Sequence, residues 1–139
     1  MPRVSKSKIQ AEKLEDMFDH FSYLIVSLSQ KGEIKQFIGE FLTKEERIML
    51  SKRLVLFMML KRNYLPSHIR AGLNMSYETI RIYQNQLDNK SKEFHQKIEK
   101  LIVREKSKEF FNKIDKFLKP LEYALNSKTS MKARAKFLP

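Results

Sequence analysis

Seven consecutive apolar residues, Leu54 to Leu60, stand between Arg53 and Lys61. Ahead of them, Thr43-Lys44-Glu45-Glu46 has the form of a capping box. In that motif the threonine hydroxyl and the glutamate carboxylate each satisfy a backbone N–H that the first turn leaves over. The spacing predicts a helix from Thr43 to about Asn63 that is apolar almost all round in its second half. Such a helix needs a second layer of helices, which is difficult inside one small chain and which an intertwined partner chain can supply. The run is far short of the ~20 residues that span a bilayer.

Three glycines and four prolines in 139 residues are too few for the many turns of a sandwich or barrel. The expected class is therefore all-α, with one core and an appendage. Before the apolar helix, Leu14, Met17, Phe18, Phe21, Leu24, Ile25 and Leu28 recur at helical spacing between about Ser7 and Ser29. Gly32 is expected to interrupt, and a shorter helix follows with Ile34, Phe37, Ile38 and Phe41 on one side. After it, Pro66 suits a first helical turn, while Gly72 and Asn74 allow a stop. Ser76 can cap a further helix from Tyr77 to about Asp88, with Ile80, Tyr83 and Leu87 inward. Two short helices around a tight turn give a helix-turn-helix over about 66–87.

The rest holds an internal repeat. Lys90-Ser91-Lys92-Glu93-Phe94 through Lys97-Ile98-Glu99-Lys100 is echoed 16 residues on, from Lys106-Ser107-Lys108-Glu109-Phe110 to Lys113-Ile114-Asp115-Lys116. Sixteen steps of 100° leave the copies ~160° apart on a straight helix, so they cannot share one face. A break near Arg104 to Ser107 is expected, with Ser107 as the new cap. From Ser127 the apolar period ends, which suits a flexible basic tail.

Charge is graded along the chain. Residues 1–42 carry six basic and six acidic side chains, residues 43–89 eight and four, and residues 90–139 fourteen and six. The total of +12 points to a polyanion, a phosphate backbone or anionic lipid, with nucleic acid favoured, and the helix-turn-helix narrows this to double-stranded DNA. No cysteine is present, which excludes disulfides and thiolate metal sites. The three histidines have no spaced metal partners, there is no glycine-rich phosphate loop, and no nucleophile sits in a catalytic context. Neither an enzyme nor a cofactor or metal is expected. The N-terminal stretch lacks the apolar run of a secretory signal, so the expected location is cytoplasmic.

Leu42-Thr43-Lys44-Glu45-Glu46-Arg47, then Arg53, then Ile69 to Leu87 resemble the tryptophan repressor family over roughly residues 14–102. The Leu-Thr-x-x-Glu-Arg opening and the Thr79-Ile80 pair are the most specific parts. The resemblance implies an intertwined homodimer whose two helix-turn-helix heads face successive major grooves, and a DNA-binding regulator, most naturally a repressor. It divides the chain into a family domain over 1–105, a helical extension over 106–126 and the tail over 127–139.

In a helix-turn-helix the first turns of the second helix face base edges while the first helix crosses the backbone. That singles out Tyr77, Glu78 and Arg81 beside the Ser76 cap. Arginine can grip guanine with two bonds, and a carboxylate can accept from cytosine N4. The resemblance adds Arg70 and Thr79 as DNA contacts. Lys132 and Arg134 are expected to touch phosphates from the tail. At the family's effector site Arg53 matches a residue that holds the tryptophan carboxylate. The second arginine is replaced by Ile82, and the adjacent glycine by Tyr83, so tryptophan is not expected to bind. Alternative readings are a nucleic-acid-coating or RNA-associated basic protein, a replication-initiator-like DNA binder, and an adaptor that holds an acidic protein through residues 90–139.

Overall fold

A computed structural model describes residues 10–129, and within these residues every regular element is a helix. In chain order they are α1 (Ala11–Ser27), α2 (Lys31–Phe41), α3 (Lys44–Lys61), α4 (Pro66–Leu73), α5 (Tyr77–Asp88), α6 (Lys92–Ile102) and α7 (Glu105–Thr129). The all-α expectation holds. The chain divides into two compact units, Met1–Ser51 and Lys52–Pro139.

In the first unit the helices form where the apolar period placed them. The break between α1 and α2 lies at Leu28–Gln30, with Leu28 extended, and Gly32 is the second residue of α2. Glycine was therefore not the interruption: its freedom is not used, because helix is among the conformations it can adopt. The Thr43 capping box forms as read, with Glu46 N–H donating to Thr43 Oγ1 at 3.1 Å and Thr43 N–H donating to Glu46 Oε1 at 2.9 Å. Phe21 and Phe37 each lie against Phe41, with ring centroids 5.7 and 5.6 Å away. Neither α1 nor α2 holds a buried residue.

The second unit builds a closed core from α3–α7. Leu56, Phe57, Met58 and Met59 are all buried, together with Ile69, Ile80, Leu87, Ile98, Phe111 and Leu118. Four successive residues point around most of a helix circumference, so this stretch of α3 is enclosed on every side. Around these four residues the enclosing layer comes from helices of the same chain, while Leu54 at the start of the apolar run is 40% exposed. Phe57 takes the rings of Tyr83 and Phe94 edge-on at 5.9 and 5.5 Å.

Two asparagines, not glycines, turn the chain. Asn63 after α3 and Asn74 after α4 have φ of 62° and 54°, a region asparagine tolerates better than most residues. Gly72 is helical, and a Cβ there would meet Met59 Cε at an ordinary 3.7 Å.

The repeat does break, at Val103–Arg104, but α7 already starts at Glu105 and Ser107 lies inside it. Ser91 caps α6 by accepting from Phe94 N–H at 3.1 Å; Ser107, its equivalent, caps nothing. The inward residues consequently shift by one: Ile98 and half-buried Phe94 face the core in the first copy, whereas Phe111 is fully buried and Phe110 exposed in the second. Pro120 sits within α7 without ending it, and the helical backbone continues to Thr129. Lys132 and Arg134 lie outside the described residues.

Candidate nucleic-acid interface

The turn Asn74–Ser76 delivers α5 with its cap made. Ser76 Oγ accepts from Thr79 N–H at 3.1 Å and donates to Thr79 Oγ1 at 2.9 Å. Both hydroxyls are thereby engaged in holding the first turn. Ile80 and Leu87 are buried and Tyr83 is half-buried, as the period predicts. Tyr77, Glu78 and Arg81 are left on the exposed face.

Those residues are not independent. Arg81 Nη2 donates to both carboxylate oxygens of Glu78, at 2.7 and 2.9 Å. Glu78 holds the guanidinium more firmly protonated than usual, first through these hydrogen bonds and then through its charge. The pair spans three residues on one helix with side chains 68% and 65% exposed, so it organises the arginine and adds little stability. Nε and Nη1 stay outside the pair. Glu78, read from sequence as a separate acceptor for cytosine, is in the free protein the partner of Arg81; the i,i+3 spacing carried that signal. One turn back, the Arg70 guanidinium lies over the Tyr77 ring, 4.8 Å from its centroid. A cation on an aromatic face thus links the last turn of α4 to the first of α5.

The effector position is built from different neighbours. The Arg53 guanidinium lies over the Tyr83 ring at 5.5 Å, and the same ring meets Phe57 edge-on. Ile82 points outward and is 46% exposed. Tyr83 is therefore the residue that Arg53 stacks on.

Further contacts, which sequence reasoning missed, fasten the head to the rest of its unit. His95 Nε2 donates to the Leu87 carbonyl in the last turn of α5 at 2.9 Å, and its Nδ1 accepts from Lys61 Nζ at 3.1 Å. The Leu87 carbonyl also accepts from the Lys90 N–H at 3.0 Å, so the histidine adds a second donor at the C-terminal end of α5. Lys61 also pairs with Glu99 at 2.8 Å, which holds that carboxyl below its ordinary range, mainly by the hydrogen bond and then by charge. The Tyr64 hydroxyl donates to Asp115. Burial, and then this hydrogen bond, push it up to about 12. The three hydrogen-bonded pairs His95–Leu87, Lys61–His95 and Tyr64–Asp115 stand 8, 34 and 51 residues apart, and no local pattern marks them.

A family model described as Trp repressor protein matches residues 16–102. No curated protein and no solved structure matches the chain. Among the described residues no helix is long and apolar enough to cross a membrane.

Proposed function

From the premise that this chain belongs to the Trp repressor protein family, a family of DNA-binding regulators, we propose that it reads a two-fold symmetric DNA site as a homodimer and represses transcription there. The observation that carries the reading is the exposed face of α5. A serine cap fixes its start, Ile80 and Leu87 are buried behind it, and Arg81 stands outward in the grip of Glu78. An arginine held by a neighbouring carboxylate loses less freedom when it meets guanine O6 and N7. Tyr77 shares the groove-facing side with it, Arg70 reaches DNA from α4, Thr79 contacts the backbone, and Lys132 and Arg134 add phosphate contacts that carry no sequence information.

Selection from random duplexes tests this directly. Wild type should enrich a symmetric site with half-sites about one helical turn, ~34 Å, apart. Arg81→Ala should cost ~1–3 kcal/mol per half-site on that sequence and much less on random DNA. Enrichment of no site would leave a sequence-blind coating protein as the better reading.

The homodimer rests on the first unit. Leu14, Met17, Phe18 and Phe21 of α1 and Phe41 of α2 are all exposed, Phe18 by 63%. An apolar surface of this extent on helices with no buried residue is what a subunit interface requires. Sedimentation at micromolar concentration should give twice the chain mass.

Tryptophan is not the co-regulator in this reading. Arg53 is stacked on Tyr83, and Ile82 supplies no second guanidinium for a carboxylate. Calorimetry with millimolar tryptophan should show no isotherm.

A further inference from the structure

The repeat of residues 90–100 at 106–116 survives in space as a repeat of contacts. Glu99 and Asp115 are equivalent positions, and each takes a residue at the end of α3 or just beyond it: Glu99 takes Lys61, and Asp115 takes the Tyr64 hydroxyl. His95 and Phe111 are likewise equivalent. His95 reaches from Lys61 to the Leu87 carbonyl and so ties the end of α3 to the end of α5. Phe111 is fully buried, with the Arg62 guanidinium 4.4 Å above its ring and the Tyr64 ring 5.9 Å away. The helix that carries it packs against α4 and α6. One copy thus grips the second helix of the helix-turn-helix, and the other lies along the first.

We propose that the repeat is a pair of clasps, one for each helix of the head, and that Phe111 and Asp115 of α7 are positioning residues for DNA reading. This rests on the DNA-reading function proposed above. The matched family region stops at residue 102, so the second copy of the repeat, with Phe111 and Asp115, lies beyond it. Reading at full affinity then depends on a helix outside the family domain. The physical reason lies in α4. It has eight residues with a single buried side chain, Ile69. A helix that short gains little from its own hydrogen bonds and depends on what packs against it. With α4 held, the α4–α5 geometry is set before DNA arrives, and binding loses less entropy in ordering it.

The test uses the full chain with Phe111→Ala, Phe111→Leu and, as a control for mere loss of core, Met58→Ala in α3. Amide exchange is followed helix by helix, and affinity is measured on the selected duplex and on random duplex. Phe111→Ala should speed exchange in α4 by about 100-fold and in α5 by less than about threefold, since local opening is released only where the clasp sits. It should weaken the selected duplex at least ~10-fold and random duplex less than ~3-fold, because phosphate contacts tolerate a loosened head. Phe111→Leu should restore most of both effects. Met58→Ala should speed exchange across the unit and leave the affinity ratio unchanged.

Should Phe111→Ala fail to fold, Tyr64→Phe and Asp115→Asn remove only the polar half of the clasp and should show the same pattern at a few-fold. Exchange that rises equally in α4 and α5, or a faster α4 with an unchanged ratio, overturns the proposal. If wild type selects no site, the DNA-reading function itself fails, and the α4-against-α5 exchange still decides whether the clasp exists.

Discussion

The two units use the same kind of sequence to opposite ends. α1 and α2 carry apolar stripes at helical spacing and bury none of them, whereas every buried side chain among the described residues belongs to the unit from Lys52 onward. Met17 and Met59 illustrate the difference. Both are methionines on the apolar face of a helix, yet one is 57% exposed and the other fully buried. An amphipathic stripe states that a face must be covered and leaves open by what. In the second unit the chain returns often enough, in α4 to α7, to cover Leu56 to Met59 of α3. The first unit has two helices and the start of a third, and much of its apolar stripe stays exposed.

The largest effect should come from the buried methionine. Met59→Ala removes most of a side chain from a closed core and should cost ~2–5 kcal/mol at any protein concentration, read from denaturant midpoints. Met17→Ala should change the stability of a dilute monomer by less than ~0.5 kcal/mol. Equal losses from both would break the comparison.

Next comes Phe18→Asp, which puts a charge on the exposed stripe of α1. It should weaken self-association by ~100-fold or more, seen by sedimentation, because a carboxylate buried at an interface without a partner is costly. Thermal unfolding of the second unit should be left as it was. A dimer that survives would place the interface elsewhere.

Tyr64→Phe sharpens the picture of the second unit. The hydroxyl ionises at about 12 in the folded protein against 10.0 unfolded. A raised value means that the contribution is fully present below pH 10 and is lost as pH rises through about 12. The variant should cost about 1 kcal/mol at neutral pH, discounted because Tyr64 is only part-buried. Stability of wild type and variant should converge between pH 10 and 12. A gap that persists at the alkaline end would show that the Asp115 contact is not its source.

Gly72→Ala is the smallest. With helical φ and only an ordinary contact to Met59, alanine should raise stability by about 0.5 kcal/mol through helix propensity. A loss would mean that α4 and α3 approach too closely for a methyl group.

How far the site could be read in advance depended on distance along the chain. The Thr43 box and the Ser76 cap involve residues three apart, so composition at fixed offsets reveals them. The inward set Ile80, Tyr83 and Leu87 followed from the helical period alone. The Glu78–Arg81 pair is equally local, but each of the two side chains by itself also matches a base edge, so spacing alone does not choose between the two roles. The repeat shows where local reading stops. Sixteen is not a multiple of 3.6, so identical motifs meet the core at different angles. Which residue turns inward then depends on where the helix begins, and here Phe111 takes the place that the motif alone would give to Phe110.

The sequence by itself determined a helical protein, the capped starts of α3 and α5 and the outward face of α5, because each is written in residues within one or two turns of one another. Only the tertiary structure decided that Leu56 to Met59 are enclosed by their own chain, that Tyr83 lies beneath Arg53, and that His95, Tyr64 and Asp115 fasten helices far apart in sequence. Those contacts cost loop entropy that no local motif records, and they form only where the packed helices bring the partners within hydrogen-bonding distance.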